Sequence, residues 1–155
     1  MGFEIERKFT IKHLPDGVDS YSRHIIEQAY LTTEPVIRVR REDDSYYMTY
    51  KGTGGSNTSL SHEEHNLPLT KEAYETLKSK ADGNIISKCR ILIPYGKYTI
   101  ELDIFDEPFK PLIIAEVEFP SVGEAENFIA PDWFDEDVTE RKEYRNAYLS
   151  RAVIK

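Results

Sequence analysis

Five short stretches of the 155-residue chain carry charged residues two positions apart. They are Glu4/Glu6 (followed by Lys8), Arg38/Arg40, Lys88/Arg90, Glu101/Asp103 and Glu116/Glu118. Residues i and i+2 share one face of a β-strand, so each pair points one way while Ile5, Val39, Leu102 or Val117 points the other. Most of the pairs are of one sign. Like charges on one strand face repel, and a sequence gains no stability from that choice alone. Two readings stay open. In the ordinary one the aliphatic faces cover a core and the charged faces meet water. In the other the charges turn inward. Unpaired buried charge is expensive, so such an interior must be wet, internally paired or filled by a charged ligand.

The inventory says what that ligand would be. Lys8, Arg38, Arg40, Lys51, Lys88 and Arg90 form a basic set suited to a phosphate chain, whose oxygens arginine grips two at a time. Glu4, Glu6, Glu116 and Glu118, with Glu64 and Asp103, form a hard-oxygen set suited to Mg2+ or Mn2+. Together they describe a metal–polyphosphate site, where the ion bridges carboxylate and phosphoryl oxygens and orients an attacking water. No serine or cysteine nucleophile constellation is present, which favours direct attack by water over a covalent intermediate. Glu4, Glu6, Lys8, Glu116 and Glu118 are the catalytic candidates.

Composition narrows the class. A formal net charge of −8 argues against a general nucleic-acid binder, which relies on positive patches. Aromatic content of 12%, mostly tyrosine, suits a β-rich protein. No apolar run approaches the roughly 20 residues needed to span a membrane. Residue 4 is already acidic and a small-residue cleavage site is missing, so no signal peptide is visible. The single cysteine, Cys89, excludes an internal disulfide and a Cys-rich zinc cluster. The expectation is a soluble, cytoplasmic protein with one domain over residues 1–155 and a small-molecule partner, neither nucleic acid nor membrane.

The elements that must position these residues follow from alternation and punctuation. Strands are expected over 3–12, 24–31, 36–41, 46–51, 59–67, 85–93, 98–105 and 112–119. A turn falls at Pro15-Asp16-Gly17, and a flexible loop over 52–57 separates the fourth and fifth strands. Thr70 caps a helix over 70–81, which ends at Asp82-Gly83-Asn84. Ser121 caps a second through about 129, with Glu124 at the capping-box position. Residues 131–137 read as irregular and hold Trp133, and a last helical segment covers about 142–151. Eight strands in mostly hairpin order predict a mainly β (α+β) fold, a closed eight-stranded antiparallel barrel with helices packed outside.

These motifs resemble the CYTH, or triphosphate tunnel metalloenzyme, superfamily. Glu4-Ile5-Glu6-Arg7-Lys8 is similar to its ExExK signature, Arg38-Val39-Arg40 to its RxR, and Lys51 to the lysine ending its fourth strand. Lys88-Cys89-Arg90 is similar to its KxR, Glu101 to Phe105 to its acidic seventh strand, and Glu116-Val117-Glu118 to its closing ExE. Gln28 to Leu31 and the segment holding Val138-Thr139, Tyr144, Asn146 and Leu149 also fit, so the likeness spans nearly the whole chain. It is nearest the small stand-alone bacterial members of clostridial type. The resemblance implies a tunnel that binds a triphosphate, with divalent metal held by the ExE pairs. The leading expectation is hydrolysis of inorganic tripolyphosphate, extending to nucleoside triphosphates or longer polyphosphate. The alternatives are a class IV-type adenylyl cyclase, a thiamine triphosphatase or a non-enzymatic polyphosphate- or nucleotide-binding module. One departure is the fifth strand, where Ser61-His62-Glu63-Glu64-His65 lacks the arginine many members carry.

Other conspicuous residues have plainer readings. His62 and His65 are solvated strand-edge histidines rather than ligands of a hard-oxygen site. Cys89 packs toward outer helices. Tyr47 and Thr49 either donate to phosphate or line the barrel. Arg141, Lys142 and Arg145 cover a tunnel mouth or sit in solvent.

Overall fold

The computed structural model describes residues 2–52 and 61–153. Among the described residues nine strands occur in chain order: β1 (Gly2–Ile11), β2 (Arg23–Thr33), β3 (Val36–Glu42), β4 (Ser45–Lys51), β5 (Ser61–Pro68), β6 (Asp82–Tyr95), β7 (Tyr98–Phe105), β8 (Ile113–Glu118) and β9 (Phe134–Asp137). The helices are α1 (Lys71–Ser79), α2 (Val122–Glu126) and α3 (Asn146–Arg151). The strands pair in the order β5-β4-β3-β2-β6-β7-β8-β1-β9, and β1 also pairs with β5. That last pairing runs from Gly2↔Glu64 to Ile5↔Ser61 and is antiparallel. It joins the ends of the run, so β1 to β8 encircle an interior as the hairpin order predicts. β1 is the hub. One edge meets β8, from Glu6↔Glu118 to Phe9↔Ala115, and the other meets β5 and then β9.

The aliphatic faces lie where alternation puts them. Phe9, Ile91, Ile93, Ile100, Leu102, Ala115 and Val117 pack outside the barrel under Phe119, Ala125, Trp133 and Phe134. Cys89 packs against this cluster, as expected. On another side Ala29 and Val39 meet Tyr74 of α1. Thr70 caps α1 as expected, its hydroxyl accepting from the Ala73 N–H.

Four local expectations are corrected. First, residues 134–137 form β9, because β1 outruns β5 and leaves an edge that the backbone of Phe134–Asp137 can satisfy. Second, Asp82-Gly83-Asn84 opens β6 rather than merely ending a helix. Third, Ser121 Oγ accepts from the Glu124 N–H, but the Glu124 carboxylate turns to the Tyr98 hydroxyl and Lys97 instead of completing a capping box. Fourth, the last helical segment splits into a 3-10 turn over Lys142–Tyr144 and α3, with Arg145 extended between them. The loop expected over 52–57 and the start of the fifth strand at residue 59 lie largely outside the described residues.

Not every helix packs outside. Leu149 of α3 packs on Tyr30, Ile86, Phe105 and Ile114, which share strand faces with the interior charges. α3 therefore covers one end of the barrel. Asn84 holds it there, donating from Nδ2 to the Leu149 and Ala152 carbonyls at 2.9 Å each. Gly83 stands so close that a Cβ would lie 2.0 Å from the Ser150 carbonyl oxygen. Among the described residues no helix is long and apolar enough to cross a membrane.

Candidate active site

The barrel encloses a cavity of about 830 Å³. Its wall includes Glu4, Glu6, Lys8, Arg38, Arg40, Lys51, Glu64, Arg90, Glu116 and Glu118, each expected from sequence. The inward reading of the charge pairs is therefore the one the fold adopts.

Lys88 and Asp103 are the exceptions. Both are 0% exposed and stand behind the cavity wall, not in it. Lys88 Nζ lies 2.7 Å from Asp103 Oδ2. Arg90, directly across the β6–β7 ladder from Asp103, donates from Nε and Nη2 to its two oxygens at 2.7 and 2.9 Å. Asp103 was expected among metal donors and Lys88 among phosphate cations, but the register commits them to each other and to Arg90. Burial pulls Lys88 down to about 8, with Asp103 working against it.

The carboxylates form one wall. Burial alone would raise Glu4, but Lys51, 2.7 Å away, holds it at about 2. Glu6 goes the other way: burial, then the charges of Glu116 and Glu4, push it up to about 8. Glu116 overcomes its burial because Lys8 and Arg90, each 3.8 Å away, keep it well below the usual carboxylate range. Glu118 is raised by burial and by Glu4, and Glu64 by burial and by Glu4. Among the described residues no three acidic, histidine or cysteine side chains converge closely enough to grip a cation in this arrangement.

The opposite wall carries arginines. Arg38 is 6% exposed and its Nε has no hydrogen-bond partner among the described residues. Arg40, 5% exposed, donates from Nε to Gln28 Oε1 at 2.8 Å and from Nη1 to the Tyr47 hydroxyl at 3.2 Å. Burial, then repulsion from Arg38 and Arg90, lowers Arg40 from its ordinary value. Neither makes an ion pair with a carboxylate among the described residues, although both are buried.

Several further wall residues lie outside the metal and phosphate sets expected from sequence. Glu101 lines the cavity, and burial raises it to about 7 even though Arg90 opposes the shift. Its pairing with Asp103 two residues on was the available signal. Asn146 lines the cavity and accepts from Lys88 Nζ at 3.4 Å. Arg145 lies in the wall, while Arg141 pairs on the surface with Glu136 at 2.9 Å. Thr139 lines the cavity and accepts from the Lys8 N–H. Tyr47 lines it too, whereas Thr49 is buried and bonds to Asn66. His65 pairs with Glu63 at the surface, consistent with the solvated reading. The side chain of His62 lies outside the described residues.

The antiparallel barrel thus faces carboxylates on one wall with Arg38 and Arg40, which make no ion pair among the described residues, on the other. The chain belongs to the CYTH domain family, whose family model matches residues 2–150. It is 37% identical to an inorganic triphosphatase of Nitrosomonas europaea, over 97% of this chain and 98% of that protein. An inorganic triphosphatase of Acetivibrio thermocellus is 33% identical, over 100% of this chain and 97% of that one. A solved crystal structure of an inorganic triphosphatase superposes with a TM-score of 0.72 at 32% identity, covering 100% of this chain and 99% of the other.

Proposed function

We propose that this chain is a divalent-metal-dependent hydrolase of inorganic triphosphate, working inside the barrel on a small-molecule substrate in the cytoplasm. The observation that carries this reading is the pair Arg38 and Arg40. Both guanidinium groups are buried without a carboxylate ion pair among the described residues, and Arg40 is further disfavoured by Arg38 and Arg90, a setting suited to an anion of high charge. The likeness to two inorganic triphosphatases along the full chain supports the same substrate.

The donor set fits a divalent metal in kind. Glu4, Glu6, Glu116 and Glu118 are the residues that would hold it, with Glu64 beside them, and all offer hard oxygens suited to Mg2+ or Mn2+. The raised Glu6 supports this, since it keeps a proton that a cation would displace. A bound ion would supply charge neutralisation at the phosphoryl oxygens and activate water. The chain's own side chains do the rest. Lys8, Arg38, Arg40, Lys51 and Arg90 bind and orient phosphate oxygens, the arginines in pairs of N–H bonds. Asp103 and Lys88 fix Arg90 from behind. Water oxygen bonds to a terminal phosphorus, the bond from that phosphorus to the bridging oxygen breaks, and orthophosphate and pyrophosphate leave. The cationic wall stabilises charge that grows on the leaving bridge oxygen.

The test is phosphate release from inorganic triphosphate, pyrophosphate, ATP and thiamine triphosphate, each with Mg2+ or Mn2+. Inorganic triphosphate should be cleaved, chelator should stop it, and Glu6→Ala should abolish it while the protein stays folded. Full activity in that variant or in excess chelator sinks the proposal. Cyclic AMP from ATP would point to a cyclase instead, and tight binding without turnover to a binding module.

A further inference from the structure

Two arginines in this barrel each direct Nε to the side chain directly opposite on the neighbouring strand. Arg90 and Asp103 are direct partners across the β6–β7 ladder, and Arg90 Nε donates to Asp103 Oδ1 at 2.7 Å. Arg40 and Gln28 are direct partners across the β2–β3 ladder, and Arg40 Nε donates to Gln28 Oε1 at 2.8 Å. An amide and a carboxylate have nearly the same shape. The grips differ by one negative charge and by one hydrogen bond, since Asp103 also accepts from Arg90 Nη2 at 2.9 Å.

Stability alone would put a carboxylate at position 28. Gln28 is 0% exposed, and its Nε2 has no hydrogen-bond partner among the described residues. A glutamate would leave no orphan donor and would neutralise a buried guanidinium. An unsatisfied buried donor and an unneutralised buried cation are both destabilising. We infer that Gln28 is a positioning residue: it aims Arg40 into the cavity as a carboxylate would, but leaves its full charge for the substrate. This rests on the triphosphate reading. In its terms Gln28 sets affinity for the anion without touching it.

The test is Gln28→Glu in the full chain, assayed for KM and kcat with inorganic triphosphate. KM should rise about tenfold or more, the loss of one charge-assisted contact. The kcat should change less, and the melting temperature should hold or rise. Placed on an Arg40→Met background, the same substitution should leave KM where Arg40→Met alone put it. Gln28→Met, which keeps shape and neutrality but removes the acceptor, should raise KM by a smaller factor and again only when Arg40 is present. An unchanged KM in Gln28→Glu overturns the inference, as does an equal loss on both backgrounds. Should Gln28→Glu not fold, an unchanged KM in Gln28→Met overturns it instead. Turnover by the unsubstituted protein checks the triphosphate reading separately. An active parent whose KM ignores these substitutions therefore defeats the role of Gln28 alone.

Discussion

The β6–β7 and β2–β3 ladders each turn a pair of basic residues into the same barrel, and they treat the charge in opposite ways. On β6, Lys88 and Arg90 converge on Asp103, which is fully buried with Lys88, while Arg90 reaches past it into the cavity wall. On β3, Arg38 and Arg40 lie in the cavity wall against an amide and a phenol, without a carboxylate ion pair among the described residues. The first arrangement is a frame, with its geometry set before any ligand arrives. The second is a surface left incomplete, and its missing counter-charge defines what it can bind. Similar sequence motifs, KxR and RxR, thus carry different work because of what the neighbouring strand places opposite them.

The largest effect should come from breaking the frame. Asp103→Asn takes the ion-pair partner from buried Lys88 and leaves Arg90 only its longer approaches to Glu101 and Glu116, and losing one partner of a buried charge group costs about 3–5 kcal/mol. Denaturant unfolding should report that loss together with inactivity. The incomplete surface should answer in reverse. Arg38→Ala removes a cation that repels Arg40 but attracts Glu4, so its melting temperature should change little while kcat/KM falls by about 100-fold or more, as when a charge-stabilising donor is removed. If Arg38→Ala unfolds the protein and Asp103→Asn does not, the comparison has been drawn the wrong way round.

The smallest effect is a slope with pH. In the metal-free protein Glu6 is held at about 8 and Glu101 at about 7, both above the values they would have unfolded. Between about pH 5 and 8 the unfolded chain has released those protons while the folded chain keeps them, so stability falls as pH rises. Asp103 and Glu116, both lowered, act in another window: their contribution is present above the unfolded value and disappears only in acid. Melting temperature measured in chelator from pH 5 to 8 should therefore decline, and Glu6→Gln should flatten the decline. A profile that rises over this range would show that the carboxylate wall is already compensated.

The sequence makes the cavity wall legible because the charges follow strict alternation on long strands. One face per strand is a local property, and local properties survive without knowing partners. The fate of Lys88 and Asp103 is not local. It depends on the Arg90↔Asp103 register, which no residue near either one announces. Gln28 stays hidden for the same reason: a lone amide in the run Ile25 to Leu31 looks like an interruption until Arg40 is placed beside it. β9 escapes because Phe134–Asp137 is short and mostly acidic, and only the spare edge of β1 makes it a strand. The break before α3 follows from an extended Arg145, a backbone choice without a glycine or proline to mark it.

The position of β1 at the junction of three pairings also bears on the order of events when the chain folds. Its partners lie at residues 61–64, 115–118 and 134–137, so the ring cannot shut until most of the polypeptide has been synthesised. Contacts of such long sequence separation form late and slowly. During that wait the open sheet shows the inner side of its strands to the cell. Much of that side is arginine, lysine and glutamate, which water solvates well and which discourages association with other unfinished chains. The charges that later receive the ligand are thus suited to keep the nascent protein soluble before there is a cavity for them to line.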